Sequence, residues 1–190
     1  DERWGVFASG QIQMADQNST AQELGYVSDA QQLTAGVDYR FTPTIFAGTA
    51  LSITRSDAES NADGGDQQSD IVVLSAFGNY YLSDTLYLDG LLSVGNSHYD
   101  TTRMIVLGAD RSPLTSDADG SQTGLSLTLG YDRNNGPWQW GGYLRTEATR
   151  FAIDAYEEKG PSGFALGIGD QHSTSAQTAL GGNASYVKAV

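Results

Sequence analysis

The chain has 190 residues, with 23 acidic and 10 basic side chains, a net charge of −13 and no cysteine. That charge excludes nucleic acid as a partner, because phosphates would be repelled, and the missing thiols exclude a disulfide framework or a thiolate site. No run approaches the roughly 18–20 consecutive apolar residues of a spanning helix, yet a spanning strand needs apolar residues only at alternate positions, so a transmembrane barrel stays open.

Composition does not shift along the chain, so residues 1–190 are read as one domain. No segment sustains a 3.6-residue apolar period, and no substantial helix is expected. Eight strands are predicted, near residues 3–13, 30–41, 44–55, 70–82, 85–99, 121–133, 137–153 and 173–188. The connections after the second, fourth and sixth are tight and contain Thr42-Pro43, Ser83-Asp84 and Asn134-Asn135-Gly136. Those after the first, third, fifth and seventh, at 15–29, 56–69, 100–120 and 157–172, read as long polar loops. In a meander this puts every short turn at one end and every long loop at the other, which is how outer-membrane barrels sort their connections.

The faces carry the second signal. In the second strand Leu33, Ala35, Val37, Tyr39 and Phe41 share one face, with Thr34, Gly36, Asp38 and Arg40 on the other. In the sixth, Leu125, Leu127, Leu129 and Tyr131 oppose Gly124, Ser126, Thr128, Gly130 and Asp132. Rings cluster beside the short turns: Tyr39, Phe41, Tyr80, Tyr81, Tyr131, Trp138, Trp140 and Tyr143. An apolar body with a polar tip suits the headgroup level of a bilayer, so Tyr39, Phe41, Tyr80, Tyr131, Trp138 and Trp140 are read as an interfacial girdle. The polar face, with Asp38, Arg40, Asp89, Asp132, Arg145 and Glu147, is read as a lumen wall whose charges pair with one another.

The run from Asp70 to Asp84 followed by Leu86-Tyr-Leu-Asp-Gly90, then Tyr99-Asp-Thr-Thr-Arg103, Asp117-Ala-Asp-Gly120 and the strand 125–131, resembles the β-domain of autotransporters. The order of segments carries the likeness from Trp4-Gly-Val-Phe-Ala-Ser-Gly10 through Ala179-Leu-Gly-Gly182. The resemblance implies a twelve-stranded antiparallel barrel in the outer membrane of a Gram-negative bacterium. It also implies a passenger polypeptide on the N-terminal side, outer-membrane lipid around the wall and barrel-assembly machinery as partners. Only eight strands are counted, without a lumen-threading helix or a terminal aromatic residue, so the chain is expected to be part of the larger barrel. A self-contained eight-stranded barrel and a soluble secreted β-domain remain the alternatives.

No enzyme site, cofactor or metal is expected. Asp57, Glu59, Asp63 and Asp66, with Asp117 and Asp119, form acidic stretches, but the spacing of a calcium loop is missing. His98 and His172 lack the pattern of a catalytic triad, and Gly160-Pro-Ser-Gly163 is a turn, not a nucleophile elbow.

Overall fold

A computed structural model describes residues 3–20, 25–61, 64–107, 110–161 and 163–186. Seven long strands follow one another: β1 (Trp4–Gln17), β2 (Tyr26–Thr42), β3 (Ile45–Ser60), β4 (Gly65–Tyr81), β5 (Leu86–Leu107), β6 (Asp110–Asn135) and β7 (Trp138–Ile153). A two-stranded ribbon, β8 (Tyr156–Glu157) with β9 (Gly167–Ile168), precedes the last long strand, β10 (Gln171–Tyr186). The eight long strands form one antiparallel sheet in the order β1-β2-β3-β4-β5-β6-β7-β10, a pure meander with β1 and β10 at its edges. The described residues contain no helix.

The expected turns hold, for local reasons. Thr42 Oγ1 accepts from the Thr44 amide at 3.2 Å, and Ser83 Oγ accepts from the amides of Thr85 and Leu86 at 3.3 and 3.1 Å. The third turn sits slightly later than expected. Asn134 and Asn135 still belong to β6, and Gly136, at φ 60°, takes the left-handed conformation that turns the chain.

The expected long loops are the main correction. Most of 56–69 and 100–120 is strand, and the connection between β5 and β6 shrinks to residues 108–109. Polar residues there pair through the backbone, as Thr102 with Thr115 and Glu59 with Asp66. A ladder needs no apolar face where both faces are wet, so sequence patterning could not see it. Residues 21–24, Asp63, Ser162 and residues 187–190, on which several expectations fell, lie outside the described set.

The register fixes which residues share a face. One row runs Trp4, Tyr39, Ala47, Gly78, Gly90, Leu127, Thr146, Thr178. The aromatic end of β1 is Trp4, but that of β10 is Tyr186, eight residues beyond Thr178. If the rings lie at one level, the strands climb about 26 Å over the roughly 34 Å spanned by seven strand spacings. That is a tilt of about 38°, within the 35–45° of transmembrane barrels.

Burial is inverted relative to a water-soluble sheet. The apolar face is open, with Leu33 59%, Leu51 45%, Leu74 53% and Leu125 45% exposed, while Thr34, Ser52, Ser75 and Ser126 on the other face are half-buried. Among the described residues the only buried hydrophobic side chains are Leu114 at 1% and Ala118 at 9% exposure, both on β6 beyond the apolar band. The described residues form no apolar core between layers.

Candidate functional site

The polar face gathers the groups of interest. A cavity of about 310 Å³ opens there, lined by Phe46, Phe77, Asn79, Asp89, Ser126, Thr128 and Arg145 among others. Of the six expected wall charges, it brings together Asp89 and Arg145. Asp89 accepts a hydrogen bond from Asn79 Nδ2, and Asn79 is only 8% exposed, with its Oδ1 left without a partner. Arg145 pairs with Glu147, whose other oxygen accepts from Gln177 Nε2 at 2.6 Å. This puts one wall cation between two carboxylates, Asp89 in the same cavity and Glu147 two residues along its own strand.

The other expected charges lie apart from the cavity. Asp38 is on the same face of β2, its carboxylate filling the space over Gly5. Asp132 similarly covers Gly141 on β7. Arg40, opposite Phe46 near the first turn, is exposed. Asn79 and Gln177 had no signal in the sequence, since their importance comes only from standing across the ladder from Asp89 and Glu147.

Rings on the polar face fit glycines on the neighbouring strand. A Cβ at Gly130 would fall 2.1 Å from Tyr87 Cζ, and one at Gly181 would fall 2.4 Å from Tyr143 Cε1. Phe7 and Phe77, three strands apart, still approach to 5.9 Å between centroids. Flat strands at about 4.8 Å spacing would hold their backbones about 14 Å apart, so the sheet bends toward this face.

Rings on the apolar face form the opposite feature. Trp4 packs on Tyr39 at 4.8 Å, Tyr39 on Phe41 at 4.9 Å, Tyr131 on Trp140 at 5.3 Å and Trp138 on Tyr186 at 4.9 Å. Tyr80 stands on the same face, opposite Leu88. Tyr81 and Tyr143, near the same turns but not among the expected girdle residues, lie on the polar face, one residue out of phase with it. Trp4 and Tyr186 complete the band instead.

Beyond the apolar band the charges change character. Arg55 and Asp70 form a two-point ion pair at 2.9 and 3.2 Å. His98 Nδ1 meets Asp119 at 2.7 Å, and Nε2 lies 3.6 Å from Asp100. The Asp119 hydrogen bond raises the His98 pKa above its ordinary value. Both ring nitrogens face carboxylates, so His98 has no free nitrogen to act as base for a serine. Asp29 stands opposite Asp57, Glu59 opposite Asp66 and Asp100 opposite Asp117, yet no group of three metal-ligating side chains forms among the described residues.

The connection between β7 and β10 is held against the tall β5–β6 hairpin. Arg103 donates to both oxygens of Glu158 at 2.8 and 2.6 Å, Lys159 reaches Asp117 at 2.6 Å, and Thr115 and Lys159 exchange backbone hydrogen bonds. Gly160 lies on Leu114, which is 1% exposed. The Arg103 hydrogen bonds hold the Glu158 carboxyl below the usual carboxylate range, and Lys159 does the same for Asp117.

Comparison with known proteins agrees with this geometry. The esterase EstA of Pseudomonas aeruginosa is 28% identical over 188 residues, a match covering 97% of this chain and 29% of that protein. An uncharacterised Pseudomonas putida protein is 30% identical over 152 residues, or 78% of this chain and 26% of its own length. The chain therefore spans less than a third of the curated relatives it matches. Among solved structures, the translocator domain of autotransporter NalP from Neisseria meningitidis superposes with a TM-score of 0.74 at 20% identity, covering 96% of this chain and 62% of that domain. The β-domain of the Bordetella autotransporter BrkA gives 0.63 at 20% identity, covering 94% and 69%. The model of the autotransporter β-domain family matches residues 6–189, nearly the whole chain, and the chain belongs to that family.

Proposed function

We propose that the chain is the greater part of an outer-membrane translocator barrel in a Gram-negative bacterium, and that a passenger polypeptide crosses along its polar face. The observation that carries this is the inverted burial. Eight strands present an open apolar face bounded by rings at one end and by charges at the other, while the polar face is the shielded one. In water this arrangement would leave Leu33, Leu74 and Leu180 solvated without return; in lipid it is the stable solution. The spanning segments on this reading are about residues 4–12, 33–41, 45–53, 72–80, 86–94, 123–131, 140–148 and 176–186.

The edges support a barrel larger than eight strands. β1 and β10 do not pair with each other among the described residues, and their apolar side chains are the most open, Val6 at 83% and Leu180 at 84%. Unpaired edges are untenable in lipid, so further strands must close the wall. Eight of twelve strands would be about two thirds, and the chain covers 62% and 69% of the NalP and BrkA domains. A wall of twelve leaves a lumen wide enough for a chain, and the alternation of Arg145 with Asp89 and Glu147 would keep that chain wetted. The esterase name belongs to the EstA proteins; any such activity in the intact protein would lie outside these residues.

The test is refolding of the intact protein into lipid vesicles, read by heat-modifiable migration on gels. Ala76→Arg, at the middle of the apolar band, is expected to cost about 2–4 kcal/mol and to block insertion. Ser75→Arg, the preceding residue on the polar face, is expected to insert. Equal tolerance of the two would refute the assignment of faces.

A further inference from the structure

We propose that Arg150 and the groove beneath it form a binding site for one anionic outer-leaflet lipid, the guanidinium taking the phosphate and the groove an acyl chain. The proposal rests on the membrane reading above. A groove of about 210 Å³ on the apolar face is lined by Leu92, Leu125 and Ala148, with Thr123, Thr174 and Arg150 at its upper end. It exists because Ala148 is small, with Leu125 across the ladder on one side and the equally small Ala176 on the other. Arg150 lies ten residues from Trp140 along β7. With the tilt derived above, that is about 26 Å from the aromatic end, where a band of about 25 Å meets the opposite headgroups.

Charge distinguishes this sector from the rest of the same border. Arg55 is occupied by Asp70 and His98 by Asp119, and the strands above them carry Asp29, Asp57, Asp100 and Asp117. Arg150 is exposed, and no hydrogen bond or ion pair joins its guanidinium to another side chain among the described residues. Its two cross-strand neighbours are Thr123 and Thr174, hydroxyl donors with no charge to compete for it. A lone cation between two hydroxyls, above an apolar furrow and inside an otherwise acidic collar, fits a phosphate head with a chain attached. A free phosphate would find the guanidinium but leave the furrow empty.

The test uses the intact protein in neutral detergent, with lipid adducts counted by native mass spectrometry. Phosphatidic acid is compared with phosphatidylcholine of the same chains, and with inorganic phosphate as competitor. Phosphatidic acid is expected to be retained about five-fold better; Arg150→Gln should erase that ratio and Arg150→Lys keep most of it. Ala148→Phe should lower retention of both lipids without changing the ratio, and inorganic phosphate should not displace either. A ratio that survives in Arg150→Gln, displacement by inorganic phosphate, or indifference to Ala148→Phe would overturn the proposal. Insertion into vesicles is scored separately: a wild type that never inserts overturns the barrel reading as well, whereas an inserted barrel without the lipid ratio overturns this site alone.

Discussion

Gly130 offers the sharpest test of how the polar face is packed. A methyl group placed there would lie 2.1 Å from Tyr87 Cζ, 2.4 Å from its hydroxyl and 2.5 Å from Cε2. Carbon contacts settle near 3.5 Å, so the ring must retreat by about 1.4 Å. Tyr81 stands behind it at 6.1 Å between centroids, which restricts that retreat. Overpacking of this kind costs about 1–3 kcal/mol, partly offset by the roughly 0.5–1 kcal/mol by which alanine outperforms glycine in a strand. Gly130→Ala should therefore destabilise by a net 0.5–2 kcal/mol, to order of magnitude. In a Tyr87→Ala background the same change should become neutral or favourable, giving a coupling of about 1–3 kcal/mol in a double-mutant cycle. Urea unfolding of the vesicle-inserted protein, followed by the fluorescence of Trp4, Trp138 and Trp140, measures each corner. Gly90→Ala is the control, since its Cβ would meet only Leu127 Cδ2 at 3.6 Å. A coupling below about 0.5 kcal/mol, or an equal loss at Gly90, would refute the argument that the ring and the glycine fit each other.

Two further outcomes follow from the pairings. Asn79→Leu should cost about 1–3 kcal/mol because it strips Asp89 of its donor, whereas the Asn79→Leu, Asp89→Leu pair should be close to neutral, by urea titration; equal losses would show that Asn79 matters for its shape alone. The docked β7–β10 connection should be pH-sensitive in a defined direction. Glu158 and Asp117 titrate below their ordinary values in the folded state, so their contribution is complete above the ordinary carboxylate pKa and is lost as pH falls through the lowered one. Spin labels at Ser112 and Gly169 should report a single short distance at neutral pH that broadens only in acid below about 4.5, the unperturbed value for Glu158. Arg103→Gln should broaden it at every pH, and an unchanged distance in that variant would show that the ion pair does not hold the connection.

Much of the wall was legible before any coordinates. Turn chemistry at Thr42-Pro43, Ser83-Asp84 and, slightly early, Asn134-Asn135-Gly136, together with the alternation of Leu33, Ala35 and Val37 with Thr34, Gly36 and Asp38, sets strand order and face, because a one-residue slip would put the charges into the apolar layer. The rings at the turn ends were likewise visible, and the same alternation separates Tyr81 and Tyr143, on the polar face, from the girdle. The upper halves of β3 to β6 were not legible. There the pattern loses its apolar period, and polar hairpins read as loops.

Sequence alone thus determined an antiparallel meander with one apolar and one polar face, since period-two patterning and turn residues are local properties. Only the tertiary structure decided which wall groups meet, as Arg145 with Glu147 and Asn79 with Asp89, and that the Arg150 guanidinium meets no side-chain partner among the described residues. Those partnerships join residues on different strands or depend on how side chains lean across the bent sheet, and both are set by register and curvature. The same holds for the two open edges: each strand's pattern is blind to whether a neighbour exists, and pairing across the ends is a property of the closed wall.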